Sequence, residues 1–188
     1  MKLFVPLAYL IVSFSVRTAA QIPIDRNPEF NKSASPRINS RISPEKNLKI
    51  NPKYNWNINP ISNAAINPNS NALINPKINT KINPHYNELL NPLRTLSLNP
   101  MTNSNWRGYY LFDKQDNHVG YYIIADQYVM LCFDIKGNWT GYLVSTDMKT
   151  FNCFDLKDEW TGMFLCSDSD SGLNVFDKEG EWTGLYAK

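Results

Sequence analysis

The chain has 188 residues, 43% of them hydrophobic and 19% charged, with three cysteines and two histidines. Its net charge of +2 conceals two opposed halves: residues 21–105 carry ten Lys or Arg against four Asp or Glu, and residues 106–188 carry seven against thirteen. His85 and His118 fall in different segments and no Ser-His-Asp, Cys-His or metal-ligand spacing emerges, so no enzyme, catalytic residue, metal or cofactor is expected.

The first twenty residues place Lys2 before an apolar run from Leu3 to Val16, then Thr18-Ala19-Ala20. That order predicts a secretory signal over 1–20 with cleavage after Ala20, and hence a secreted, periplasmic or cell-surface protein. The run is shorter than the ~20 residues a spanning helix needs. No second apolar segment follows, so no transmembrane segment is expected in the mature chain.

Residues 21–105 are an octapeptide array. Proline stands at Pro28, Pro36, Pro44, Pro52, Pro60, Pro68, Pro76, Pro84, Pro92 and Pro100. Asn or Ser precedes each one, Ile or Leu stands two before it from Ile42 to Leu98, and Asn follows three after it in every copy but the one with Thr95. Asn-Pro initiates turns, and proline keeps the residue before it out of the helical region, so a long helix is excluded. One large aliphatic per eight residues is too little for an ordinary core. The expectation is therefore an extended or disordered stalk, reaching ~260 Å at ~3.1 Å per residue. The strict register favours an alternative, an ordered stack in which two octads make one coil with ladders of Asn and Ile.

Residues 106–188 obey a second period. "LFDKQDNHVGYYI", "CFDIKGNWTGYLV", "CFDLKDEWTGMFL" and "VFDKEGEWTGLYA" place Phe112, Phe133, Phe154 and Phe176 at intervals of 21, 21 and 22 residues. Each Phe is followed by an Asp suited to capping a tight turn, whose last residue, Gly or Asp, tolerates the left-handed region. Four hairpins follow, giving eight strands in an all-β domain whose closure would hide its edges. The glycine of Trp-Thr-Gly predicts a close backbone approach around a shared centre.

These four FD-x-x-G-x-W-T-G units resemble the bacterial four-fold β-flower domain, a small pseudosymmetric all-β module, and octads such as "INPKYN" accompany such domains. The resemblance implies the fold, and carries no activity, cofactor or catalytic residue. The chain departs from the pattern at His118-Val119, which replace Trp-Thr, and in the extra residue of "SDSDSG" before the fourth copy.

Candidate binding residues are the repeated Trp139, Trp160 and Trp182 with Asp134, Asp155 and Asp177. Either the tryptophans pack between hairpins, or they stand exposed as platforms for sugar rings or a protein partner. The aspartates are turn caps first and ligands for a cation or polyol second. "DSDSG" superficially resembles a calcium loop but lacks the remaining ligands. Cys132, Cys153 and Cys166 are read either as buried hydrophobes or, after export, as disulfide partners. The ten cations of the octads are scattered over 85 residues, so an anionic envelope polymer or cell-surface polysaccharide is a better partner than specific nucleic acid. The resulting expectation is a non-catalytic binding or display module on a repeat stalk. A self-assembling octad protein and an exported effector are the alternatives.

Overall fold

The computed structural model of the protein describes residues 26–147 and 149–188; the signal expected over 1–20 lies outside them. Each Phe-Asp turn closes a hairpin, giving β1 (Tyr109–Phe112) with β2 (His118–Ile124), β3 (Val129–Asp134) with β4 (Trp139–Ser145), β5 (Thr150–Phe154) with β6 (Trp160–Ser167), and β7 (Leu173–Phe176) with β8 (Trp182–Ala187). Every strand pairs antiparallel with the next, and β8 returns to β1 through Leu111–Ala187 and Phe112–Tyr186, closing an eight-stranded barrel. The domain is all-β.

Side chains alternate across this sheet, as a period of two requires. Tyr122, Met130, Leu143, Cys153, Leu165, Val175 and Ala187, drawn from seven strands, form one cluster in the lumen. Their neighbours Tyr121, Leu131, Phe133, Tyr142, Val144 and Phe154 point outward into a second cluster. At each seam between hairpins an outward aromatic stacks on the Phe of the next unit. The pairs are Tyr121–Phe133, Tyr142–Phe154, Phe164–Phe176 and Tyr186–Phe112, with ring centroids 5.5–5.7 Å apart.

The repeated glycines serve this stacking in two ways. Gly120 and Gly141 lie so close to the next hairpin that a Cβ would meet the carbonyl oxygens of Phe133 and Phe154 at 2.6 and 2.5 Å. Gly162 and Gly184 instead take φ of +82° and +85°. There the stacking aromatic comes one residue later, at Phe164 and Tyr186, so a left-handed glycine absorbs the extra residue. The close approach read from the sequence is thus made to a neighbouring hairpin in two units only.

Of the stalk expected over 21–105, residues 21–25 lie outside the described residues, and 26–105 are not extended. Residues 26–106 are a continuous run of tight turns, with short 3-10 segments such as Trp56–Ile58, Ala64–Ile66 and Ala72–Ile74. One octad makes one coil, where the alternative expected two. The Asn before proline accepts a turn N–H with Oδ1 and donates Nδ2 to the proline carbonyl of the previous octad, as Asn59 does to Pro52 at 2.9 Å. The Asn three after proline does the same to the carbonyl six residues back, as Asn63 does to Asn57 at 2.6 Å. Where Thr95 replaces that Asn, its hydroxyl reaches the Glu88 carbonyl at 2.7 Å. Two amide ladders therefore satisfy backbone groups that no strand partner is present to take.

The array also finds the core it lacks. The Ile-Asn-Pro face of each coil is turned onto the barrel, and Ile66, Ile74, Ile82 and Leu90 join the outer aromatic cluster. Each such side chain contributes ~1.5–3 kcal/mol on burial, which is why a segment too apolar-poor to fold alone is ordered here. The coils reach the hairpin turns in the order β1–β2 at Asn27, β7–β8 at Asn51, β5–β6 at Asn69 and Lys77, and β3–β4 at Leu93. They return to β1 and β2 at Trp106, whose indole meets Tyr110 and Tyr121 edge-on at 4.6 and 5.5 Å. The octads are a belt that makes one full circuit of the barrel. Among the described residues no helix is long and apolar enough to cross a membrane.

Candidate functional site

The repeated aspartates are held by their own turns. Oδ1 of Asp134 accepts the N–H groups of Lys136 and Asn138 at 2.8 and 2.9 Å, Asp155 those of Lys157 and Glu159, and Asp177 those of Glu179 and Glu181. The Glu159 N–H holds the Asp155 carboxyl below its ordinary range. For Asp134 partial burial pulls upward, and the bonds from Asn138 and its neighbours outweigh it, so that carboxyl too is lowered. These groups stand on separate hairpin turns, and among the described residues no cluster of three or more carboxylate, histidine or cysteine side chains is placed to hold a metal ion.

The tryptophans are equally spread, at the starts of β4, β6 and β8, and each is half-buried. Their indole N–H groups donate to carbonyls of their own strands, Trp139 to Gly141 at 2.8 Å, Trp160 to Met163 at 3.2 Å and Trp182 to Leu185 at 2.9 Å. The belt then meets two of the rings: His85 approaches Trp139 edge-on at 5.4 Å, and the Arg37 guanidinium lies over Trp182 at 5.2 Å. Trp139 and Trp160 pack on the outer aromatic cluster and Trp182 on the smaller one beside it. Of the six, Asp134 and Asp155 border one cavity, while the three tryptophans stand at equivalent positions of separate hairpins.

The last residue of each turn decides how the belt docks. Asp116 and Asp158 hold left-handed φ values of 64° and 67°, a conformation uncommon outside glycine. Asp158 accepts the Tyr142 hydroxyl at 2.8 Å and pairs with Lys77 of the belt at 3.3 Å. Asp116 accepts the Tyr186 hydroxyl and the Asn27 amide. At the other two turns the residue is glycine, and belt side chains fill the space. A Cβ on Gly137 would lie 2.9 Å from Leu93, and one on Gly180 2.6 Å from Asn51. The hydroxyl of Tyr121, which faces Gly137 where two other turns offer Asp116 or Asp158, is buried with no hydrogen-bond partner among the described residues.

The calcium-like "DSDSG" turn is a clasp. The buried Asp168 carboxylate accepts the N–H groups of Asp170 and Gly172 at 2.7 Å each and pairs with Lys188 at 2.7 Å. Cys132, Cys153 and Cys166 are free thiols; the first two face the lumen, and Cys166 lies outside it, against the Ile50 carbonyl.

What sequence reading took as scattered cations the structure collects, with aromatic side chains, on the outward side of the belt. With the Ile-Asn-Pro positions buried, the remaining positions project into solvent, leaving Trp56 74% and Tyr86 73% exposed, with Tyr54, Ile61, Leu73 and Leu89 similarly bare. Exposed Lys32, Arg41, Lys46, Lys49, Lys53 and Lys81 are interspersed among them. The signal was present as the variable octad positions, but only the buried face shows which of them point out. No family model matches the chain, and neither the curated proteins nor the solved structures contain a match to it.

Proposed function

We propose that the protein is a secreted, non-catalytic binding module whose contact surface is the outer face of the octad belt and whose partner is an anionic polymer of the cell envelope. The observation that carries this reading is the repeated exposure of aromatic and cationic side chains at fixed positions of an ordered array. Cations supply long-range attraction, and flat rings such as Trp56, Tyr54 and Tyr86 supply stacking surfaces for sugars. The belt's excess of positive charge wraps a barrel with an excess of negative charge, so the attractive surface faces outward. The signal-like residues 1–20 support export. The four sequence units, with their shared Asp caps and stacked Phe, support reading the barrel as a pseudo-four-fold, β-flower-like domain.

Co-sedimentation of the mature chain with polygalacturonate, against neutral dextran as control, tests this. Binding to polygalacturonate that weakens with salt and drops on Lys46→Gln/Lys49→Gln/Lys53→Gln is the expected result. Binding unchanged by that triple substitution sinks the proposal. The self-assembly reading rests on the exposed aliphatics Ile61, Leu73 and Leu89. It requires concentration-dependent sedimentation that Leu73→Ser and Leu89→Ser abolish.

A further inference from the structure

The barrel lumen is only partly filled. The layer nearest the hairpin turns carries Leu111, Cys132, Cys153 and Val175, and two thiols and a valine are small for an interior position. A cavity of about 280 Å³ remains, lined by these four with Tyr122 and Leu143. An eight-stranded barrel is just wide enough either to be filled by its side chains or to hold one small ligand.

The cavity has a mouth. Val119, Thr140 and Thr161 border it, and all three are exposed. The Thr140 and Thr161 hydroxyls each donate at 3.1 Å, to the carbonyls of Cys132 and Cys153, so neither donor is offered to an entering molecule. The charged residues on the lining are Asp134 and Asp155, whose carboxylates cap their own turns. Burial raises both thiols and keeps them protonated, so the sulfurs line the wall as apolar surface rather than as thiolate ligands. The belt grips the barrel from outside and meets the turns at Asp116, Gly137, Asp158 and Gly180, on its outer wall.

We propose that this lumen is a binding site for a small uncharged apolar molecule, of the size of two fused aromatic rings or a medium-length hydrocarbon chain, entering between Val119, Thr140 and Thr161. Size follows from volume: an apolar cavity of ~150 Å³ accepts benzene, so roughly twice that accepts a bicyclic ring. The ligand class follows from the wall, which offers hydrocarbon, thiols and the Tyr122 phenol, and whose two carboxylates, Asp134 and Asp155, are engaged by the N–H groups of their own turns. This site is separate from the outer face of the belt and stands or falls independently of it.

The test is titration of the mature chain with 1-aminonaphthalene, followed by its fluorescence and by the rate at which N-ethylmaleimide modifies each cysteine. Saturable, blue-shifted binding of one molecule per chain is expected, with Cys132 and Cys153 modified several-fold more slowly and Cys166, on the outer face, unchanged. Leu143→Trp, which fills the lumen, is expected to weaken binding by ~tenfold or more. Val175→Phe is a second filling variant should the first fail to fold, and the protection of the natural thiols needs no variant at all. Absence of saturable binding overturns the proposal. So does binding that slows Cys166 as much as Cys132 and Cys153, or that both filling variants leave intact.

Discussion

In the barrel each strand satisfies its N–H and C=O groups on two neighbours, so the sheet closes on itself and its lumen is built from its own residues. In the belt the same groups are satisfied locally, by short turns and by asparagine side chains that cap one turn and staple it to the octad before. The barrel's repeat brings seventeen aromatics in 83 residues, while the belt brings one inward aliphatic per octad. The comparison teaches that local hydrogen bonding can set a backbone's shape without supplying a core. The belt is ordered because the barrel's outer aromatics, which would otherwise be bare, are the other half of its hydrophobic contact.

Separating the two regions puts the greatest strain on this comparison. Residues 106–188 alone would expose Tyr121, Tyr142, Phe164 and Tyr186, all fully buried in the intact protein. The isolated segment is expected to lose its cooperative thermal transition and to bind a hydrophobic dye. An unchanged transition followed by circular dichroism would reduce the belt to a coat.

Next in size is the contrast within one octad. Ile74 is 4% exposed and Leu73 74% exposed. Ile74→Ala should cost ~2–5 kcal/mol in urea unfolding, whereas Leu73→Ala should stay within ~0.5 kcal/mol. Equal effects would mean that the octads are not docked as described.

A smaller contrast sharpens the account of the turns. Tyr142→Phe removes a hydroxyl bonded to Asp158 and is expected to cost ~1–3 kcal/mol. Tyr121→Phe removes a buried hydroxyl that has no partner among the described residues and should be neutral or stabilising. Paired denaturation curves decide it, and a loss at Tyr121 as large as that at Tyr142 would contradict the assignment.

The smallest expected effect is one of pH. His118, replacing Trp in the first unit, sits among Tyr110, Phe112 and Tyr121, and burial lowers its pKa from the ordinary 6.5, partly opposed by its bond to Gly120. With the folded value depressed, the unfolded chain takes the proton first. Its contribution is complete above pH 6.5 and is lost as pH falls from there towards the folded value. His118→Phe should flatten the melting temperature over that window. The aspartate caps act in a lower one: the lowered carboxyls of Asp113 and Asp155 contribute above their ordinary 3.8 and lose that contribution below it. A pH profile unaltered by His118→Phe would show that the histidine is not the group responsible.

Much was legible in the chain wherever bonds close locally. The Asp caps, the left-handed turn ends and the Asn-Pro turns all form within a few residues, so spacing and residue type suffice to predict them. How far the tryptophans pack could not be read from spacing, because part of what meets Trp139 and Trp182 comes from far away: His85 and Arg37 belong to the belt. The two glycine geometries in Trp-Thr-Gly were hidden for a related reason, since a bulge is visible only once the partner strand's register is known.

By itself, the sequence determined two periods, eight strands and the turn chemistry of both repeats, because a bond between residues two to seven apart depends on local order alone. Only the tertiary structure decided that the octads encircle the barrel. That choice rests on contacts such as Asn69 to the Asp158 carbonyl and Asn174 to the Ala34 carbonyl, 89 and 140 residues apart. It rests as well on the burial of one aliphatic per coil, whose gain exists only where another part of the chain offers an apolar surface of matching pitch.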